Sequence, residues 1–229
     1  MARCVLFVPG LYNLLLSPHP DDLVFSVFSI LTKEENNLAL VFFNISSFTR
    51  WPVKSKKLVT GYRTLEDRAI LRSLKTKVKY LNLADNSLKD STDNDLLSIK
   101  KLELDLPAKI YSPLGVGGSP NHLQVRNWAI NHWIGWERKT ELYFYEDLPY
   151  AAKSDDLEQE EEHILQELEK TCGPLQKLAE PLTAAQLDRK LRKCRSYFSQ
   201  TDYSKLIGNH AKNRADSSTK FAEIFYRAG

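Results

Sequence analysis

The sequence predicts an α/β protein: a Rossmann-like, mostly parallel sheet with helices on both faces, in a single domain with a helical C-terminal part. Short apolar runs alternate with longer amphipathic segments up to about residue 150, which is the pattern of a parallel sheet covered by helices. After Tyr150 the composition shifts to helical patterns carrying an acidic run, 158–162, and a basic one, 189–195. The 229 residues suit one domain of generous size. We therefore expect a core over about 1–150 and the helical part over about 151–229.

In chain order, strands are expected at 11–16, 38–45, 78–83, around 110–111 and at 142–145, with an opening strand at 4–8 cut off by Pro9 and Gly10. Helical spacing points to 22–32, 63–74, 95–104 and 121–133. Beyond them, Ile164, Leu165 and Leu168 mark the apolar stripe of an acidic helix whose charges read as a solvated face. The polar stretch 209–219 reads as a mobile loop before a last aromatic segment, 221–226.

Composition excludes several classes of function. Thirty-two Lys and Arg against 29 Asp and Glu leave a net charge of +3, too balanced to argue for nucleic acid. Cys4, Cys172 and Cys194 are odd in number and far apart, so they read as reduced thiols of a cytoplasmic protein. The apolar residues 1–16 are broken by Pro9, Gly10 and Asn13 and are too short to span a bilayer. No membrane partner is expected, and homo-oligomerisation stays open.

The chemistry concentrates in Ser17-Pro18-His19-Pro20-Asp21-Asp22, at the end of the second apolar run. A Pro-rigidified turn after a strand can aim His19 and Asp22 at one point while Asp21 stays free as a base. Catalytic zinc sites commonly take a third ligand from far along the chain. His122 has the best context, in a glycine-rich loop after a strand and at a helix start, on the strand-end face where α/β sites gather. His132 reads as packing among tryptophans, and His163 and His210 read as solvated. No Gly-Lys-Ser/Thr follows the glycines 115–118, so the loop serves close approach of a ligand rather than phosphate binding. The cluster Tyr145, Glu146 and Asp147 reads equally as the lining of a sugar pocket or as a buried strand end with an acidic turn.

These motifs resemble the zinc-dependent N-deacetylases of the PIG-L, or LmbE-like, superfamily. The resemblance rests on His19-Pro20-Asp21-Asp22, on Gly61-Tyr62-Arg63-Thr64-Leu65-Glu66, on Asn82-Leu83-Ala84-Asp85 and on Ser119-Pro120-Asn121-His122. Tyr145-Glu146-Asp147-Leu148-Pro149-Tyr150 and Tyr197-Phe198-Ser199-Gln200 look like a bacterial small-molecule subgroup, and the likeness runs over about 11–200. It implies one Zn2+ per chain on His19, Asp22 and His122, with Asp21 as general base. It also implies a substrate such as an N-acylated amino sugar or glycoside, losing an acyl group, foremost acetyl. Arg63 would hold a hydroxyl or anionic group of the substrate, or else pair with Glu66 or Asp67.

Two positions depart from the family pattern. Ser119 stands where the family usually has a histidine thought to stabilise the oxyanion, and Asn121 replaces an aspartate. Losing one such donor costs about a hundred- to a thousandfold in rate. The metal, Tyr62 or Tyr145 are the alternatives for that task. A catalytically impaired ligand-binding protein on the same fold, or a hydrolase of another amide or ester, are the competing readings.

Overall fold

Leu14, Leu15 and Leu16 are fully buried, so the first strand is apolar on both faces and belongs at the centre of a sheet covered on both sides. The computed structural model describes residues 11–86, 88, 102 and 104–229. The expected strand at 4–8 lies outside the described residues, and so does nearly all of the expected helix at 95–104.

The chain runs β1 (Asn13–Ser17), α1 (Asp22–Ser26), α2 (Phe28–Lys33), β2 (Asn37–Val41), α3 (Lys56–Ser73) and β3 (Lys77–Tyr80). It continues with β4 (Lys109–Pro113), α4 (Pro120–Gly135), β5 (Glu141–Tyr145), α5 (Tyr150–Lys153) and α6 (Leu157–Cys172). It closes with β6 (Leu175–Pro181), α7 (Ala184–Arg195), α8 (Ser204–Asn213) and β7 (Ala222–Ala228). Seven strands form one sheet in the order β3-β2-β1-β4-β5-β7-β6. The first five in that order are parallel, while β7 runs antiparallel to both β5 and β6. The order reverses direction between β1 and β4, and that switch point opens a crevice at the strand carboxyl ends.

The C-terminal part thus supplies two strands as well as helices. β6 lies on an outer edge with Gln176 and Lys177 exposed and Glu180 half-buried, where charge discourages pairing with another chain. β3 guards the opposite edge with exposed Lys77 and Lys79. Neither edge strand is a long apolar run, and β6 left no strand signal for that reason.

The helix expected over 22–32 is two helices, broken at Val27 (φ −126°, ψ 34°). Glu223 of β7 causes the break to be stable: its carboxylate accepts the Phe28 and Ser29 backbone N–H groups at 3.0 and 2.8 Å, capping α2. α3 begins seven residues before the expected start, because the Ser55 hydroxyl accepts the Leu58 N–H and caps it there. The stretch 209–219 is a loop only in its second half. α8 extends through Asn213, with Ile207 and Ala211 buried.

Candidate metal centre

β1 ends at Ser17, whose hydroxyl donates to the His19 carbonyl at 2.6 Å and tightens the turn. Asp22 opens α1, and its Oδ2 accepts the His19 backbone N–H at 2.7 Å. Between them Asp21 sits at φ 108°, a left-handed conformation costly for a residue with a side chain. The Asp67 carboxylate of α3 meets the Asp21 backbone N–H. Asp67 also accepts from the hydroxyls of Tyr80 and Tyr197 at 2.8 and 2.9 Å, so the network behind Asp21 draws on α3, β3 and the segment after α7.

The loop after β4 brings the third donor. Gly115, at φ +96°, takes a backbone conformation that a side chain would strain, and a Cβ there would lie 2.7 Å from Leu123. Its N–H and that of Val116 donate to Asp147 Oδ2 at 2.7 and 3.0 Å. Asp147 Oδ1 meets His122 Nδ1 at 2.5 Å, which turns His122 Nε2 toward Asp22. His19 Nδ1 and His122 Nε2 lie 3.3 and 3.6 Å from Asp22 Oδ2. Donors each about 2.0–2.2 Å from a tetrahedral zinc lie about 3.3–3.5 Å apart. One ligand atom of each of His19, Asp22 and His122 falls within 4.8 Å of the others.

The donor set fits a single Zn2+ on a further ground. His122 Nε2 is buried and has no hydrogen-bond partner, an arrangement that costs about 1–3 kcal/mol unless something satisfies it. A cation among these three donors would. The far edge of His19 is also occupied: Asn121 Nδ2 lies 2.7 Å from its Nε2 and 3.1 Å from Asp85 Oδ1.

Electrostatics separates the paired aspartates. Burial pushes the Asp21 carboxyl well above the usual carboxylate range, the Asp22 and Asp67 charges add to it, and Arg63 opposes. Burial would raise Asp22 too, but the His122 charge and the His19 hydrogen bond hold it below its ordinary value. Burial works to lower His122, whereas the Asp22 charge and the Asp147 hydrogen bond raise it.

A cleft of ≈ 330 Å³ opens over the cluster, lined among others by Asp21, Phe48, Arg63, Ser119, Tyr150 and Tyr203. Arg63 points along its floor, donating to the Pro20 carbonyl at 3.3 Å and lying 3.7 Å from Asp21 Oδ1. It makes neither of the anticipated pairs as its main contact. Glu66 accepts from the Ser199 backbone and hydroxyl, and Asp67 from the two tyrosines.

Tyr145, Glu146 and Asp147 do not line the cleft, which corrects their reading as sugar contacts. Tyr145 is fully buried and donates to the Leu16 carbonyl at 2.8 Å. Glu146 accepts from His210 Nε2 at 2.6 Å and Arg214 Nε at 2.8 Å. Burial works to raise the Glu146 carboxyl, yet the His210 hydrogen bond and Arg214 hold it at about 2. Asp147 stands behind His122. His210 is accordingly buried, contrary to the solvated histidine expected, while His163 is exposed. His132 packs as expected, its ring stacked on Trp128 at 3.8 Å.

Sequence reasoning named Asp67 only as a possible partner of Arg63, quoted Asp85 and Tyr150 within motifs without a role of their own, and passed over Tyr203. Tyr150 lies just past the acidic turn, its ring edge-on to His122 at 5.1 Å. Burial, followed by the Asp22 charge, pushes its phenol up to about 12.

No protein-family model matches the chain. Among curated proteins it is similar to the 2'-N-acetylparomamine deacetylase of Streptomyces fradiae, with 26% identity over 166 residues. That match spans 62% of this chain and 59% of the relative's length. Among solved structures it resembles the zinc-inhibited form of teicoplanin deacetylase Orf2, at TM-score 0.68 and 17% identity over 95% of this chain and 98% of that one. It also resembles N,N'-diacetylchitobiose deacetylase from Pyrococcus horikoshii, at TM-score 0.61 and 16% identity over 95% and 83%. At such identities the likeness to these deacetylase structures shows the fold alone.

Proposed function

We propose that the protein is a zinc-dependent N-deacetylase. It hydrolyses an acyl group, foremost acetyl, from the amine of a sugar-like small molecule such as an N-acylated amino sugar or glycoside. The observation that carries this reading is one cleft lined by His19, Asp22 and the separate buried carboxylate of Asp21, with the partnerless Nε2 of buried His122 converging on the first two. The curated relative and the solved structures above, each named as a deacetylase, support the choice of acetyl.

His19, Asp22 and His122 would hold the metal. Zinc, when bound, lowers the pKa of a water toward neutrality and polarises a carbonyl. Asp21 takes the proton of the attacking water and returns it to the leaving amine, a task suited by a carboxyl whose burial raises its basicity. Asp147 keeps His122 in the tautomer that presents Nε2. Asn121 and Asp85 steady His19 from its other edge. Arg63, on the cleft floor, holds a hydroxyl or anionic group of the substrate. A cleft of ≈ 330 Å³ suits a small molecule. Among the described residues no helix is long and apolar enough to cross a membrane. The buried free Cys172 and Cys194 fit a reducing, cytoplasmic setting.

Metal analysis of the purified chain with a panel of N-acetylated amino sugars tests the reading. We expect one zinc per chain and release of free amine. Zinc without turnover across the panel would favour the impaired, ligand-binding alternative; absence of both would overturn the metal site as well.

A further inference from the structure

Attack of water on an amide moves an electron pair onto the carbonyl oxygen, and an efficient site aims a hydrogen-bond donor at that oxygen beside any cation. Most polar side chains of the cleft have other work. Asn121 Nδ2 bridges His19 and Asp85, Arg63 lies on the Pro20 carbonyl beside Asp21, and Gln200 Nε2 donates to Ser199. Lys153 Nζ rests against the Tyr203 hydroxyl at 3.2 Å. The two tyrosines anticipated from the sequence are elsewhere. Tyr145 is sealed against Leu16, and Tyr62 is 47% exposed and packs edge-on against Trp51.

Tyr150 is placed differently. It opens α5, and its ring stands edge-on to the His122 imidazole at 77°. Tyr150 and Ser119 both line the cleft, and the Ser119 side chain acts as a donor toward the phenol, opposing the rise that burial causes. The glycine loop makes the room for this ring: a Cβ at Gly117 would lie 3.0 Å from Tyr150 Cβ and Cδ1, at a φ of +79°. With the Ser119 hydroxyl donating to the phenol oxygen, the phenol keeps its own O–H to give.

From this geometry we infer that Tyr150 donates the hydrogen bond that stabilises the oxyanion, with Ser119 as the positioning residue for its hydroxyl. The inference rests on the deacetylase reading above. In the step it serves, the water oxygen bonds to the carbonyl carbon while one water proton passes to Asp21. The C=O π pair moves onto oxygen, which accepts the Tyr150 hydrogen bond without taking its proton. When the C=O re-forms, the C–N bond breaks, the Asp21 proton goes to the amine nitrogen, and the products are a carboxylic acid and a free amine.

The test compares full-length, zinc-loaded wild type with Tyr150→Phe, which keeps the ring against His122, and with Ser119→Ala. On an N-acetylated amino sugar, Tyr150→Phe should lower kcat about 100- to 1000-fold, with KM within about threefold and zinc content unchanged. Ser119→Ala should lower kcat by only about 3- to 10-fold, as expected for one neutral hydrogen bond. A Tyr150→Phe kcat within about threefold of wild type overturns the assignment, and so does a fall that tracks lost zinc. A second arm needs no turnover: calorimetric binding of a methylphosphonamidate of the same amino sugar, a tetrahedral mimic of the attacked amide. Tyr150→Phe should bind it at least about 30-fold more weakly while binding the free amine equally; equal analogue binding overturns the assignment. If the wild type holds zinc and binds the analogue but releases no amine, the deacetylase reading fails and the analogue arm alone decides Tyr150. If the wild type does neither, both fall.

Discussion

The carboxylate of Asp147 ties the His122 ring to the loop that delivers it: one oxygen meets Nδ1 at 2.5 Å, and the other accepts the backbone N–H groups of Gly115 and Val116. Both residues are fully buried, so neither contact is diluted by water. The arrangement selects the tautomer whose free Nε2 faces Asp22 and His19. Asp147→Asn retains the shape but loses the charge and one acceptor. We expect zinc affinity to fall about 10- to 100-fold, measured by competition with a chelator. Unchanged affinity would mean that the loop glycines alone position the ring.

Asp21 has a narrower role. It does not belong to the three-donor cluster, and its closest cation is Arg63 at 3.7 Å. Asp21→Asn should therefore keep the full zinc content while lowering kcat about 10²- to 10⁴-fold. Steady-state hydrolysis of an N-acetylated amino sugar, with metal analysis on the same samples, separates the two effects. A variant that retains more than about a tenth of the wild-type kcat would remove Asp21 from the proton path.

The five parallel strands and the paired aspartates were legible because their causes are local. Leu14 to Leu16 form an apolar run, and the turn that carries His19 and Asp22 is closed by bonds spanning two and three residues, Ser17 to His19 and His19 to Asp22. What escaped is set by partners far along the chain. The break between α1 and α2 depends on Glu223, 195 positions after Phe28. His210 looked solvated in a polar stretch, but α8 delivers it to Glu146, 64 positions away. Asp147 read equally as a sugar contact or as part of a buried acidic turn, and only its bond to His122 Nδ1 decides for the buried turn. Residue type marks which chemistry is available, while burial and the opposing element decide which side chain performs it.

Asp67 gives the stability curve a specific slope. It is buried, and burial outweighs the Tyr80 and Tyr197 hydrogen bonds, raising its carboxyl from 3.8 to about 6. The folded protein therefore holds this proton more tightly than the unfolded chain. The resulting stabilisation is complete below about pH 4 and is lost as pH rises through about 6. A shift of this size corresponds to about 3 kcal/mol. Urea denaturation of wild type and Asp67→Asn at pH 4 and pH 7 should show their difference moving by about that amount in favour of the variant. A constant difference would mean that Asp67 titrates normally.

Lys190 and Glu223 form an ion pair with no exposed surface on the lysine, Nζ to Oε1 at 2.6 Å. The pair joins α7 to β7, and Glu223 simultaneously caps α2 through Phe28 and Ser29, including the Ser29 hydroxyl at 2.5 Å. Removing only the cation leaves a buried carboxylate whose remaining donors are neutral. Lys190→Met should thus cost about 3–5 kcal/mol in unfolding free energy. In Lys190→Met/Glu223→Gln no charge is buried alone, and the amide oxygen can still accept from the α2 N–H groups. The double variant should then be more stable than Lys190→Met by chemical denaturation, despite carrying one more substitution. If it is less stable instead, the capping bonds of Glu223 outweigh the isolated charge, and the carboxylate serves α2 more than it serves Lys190.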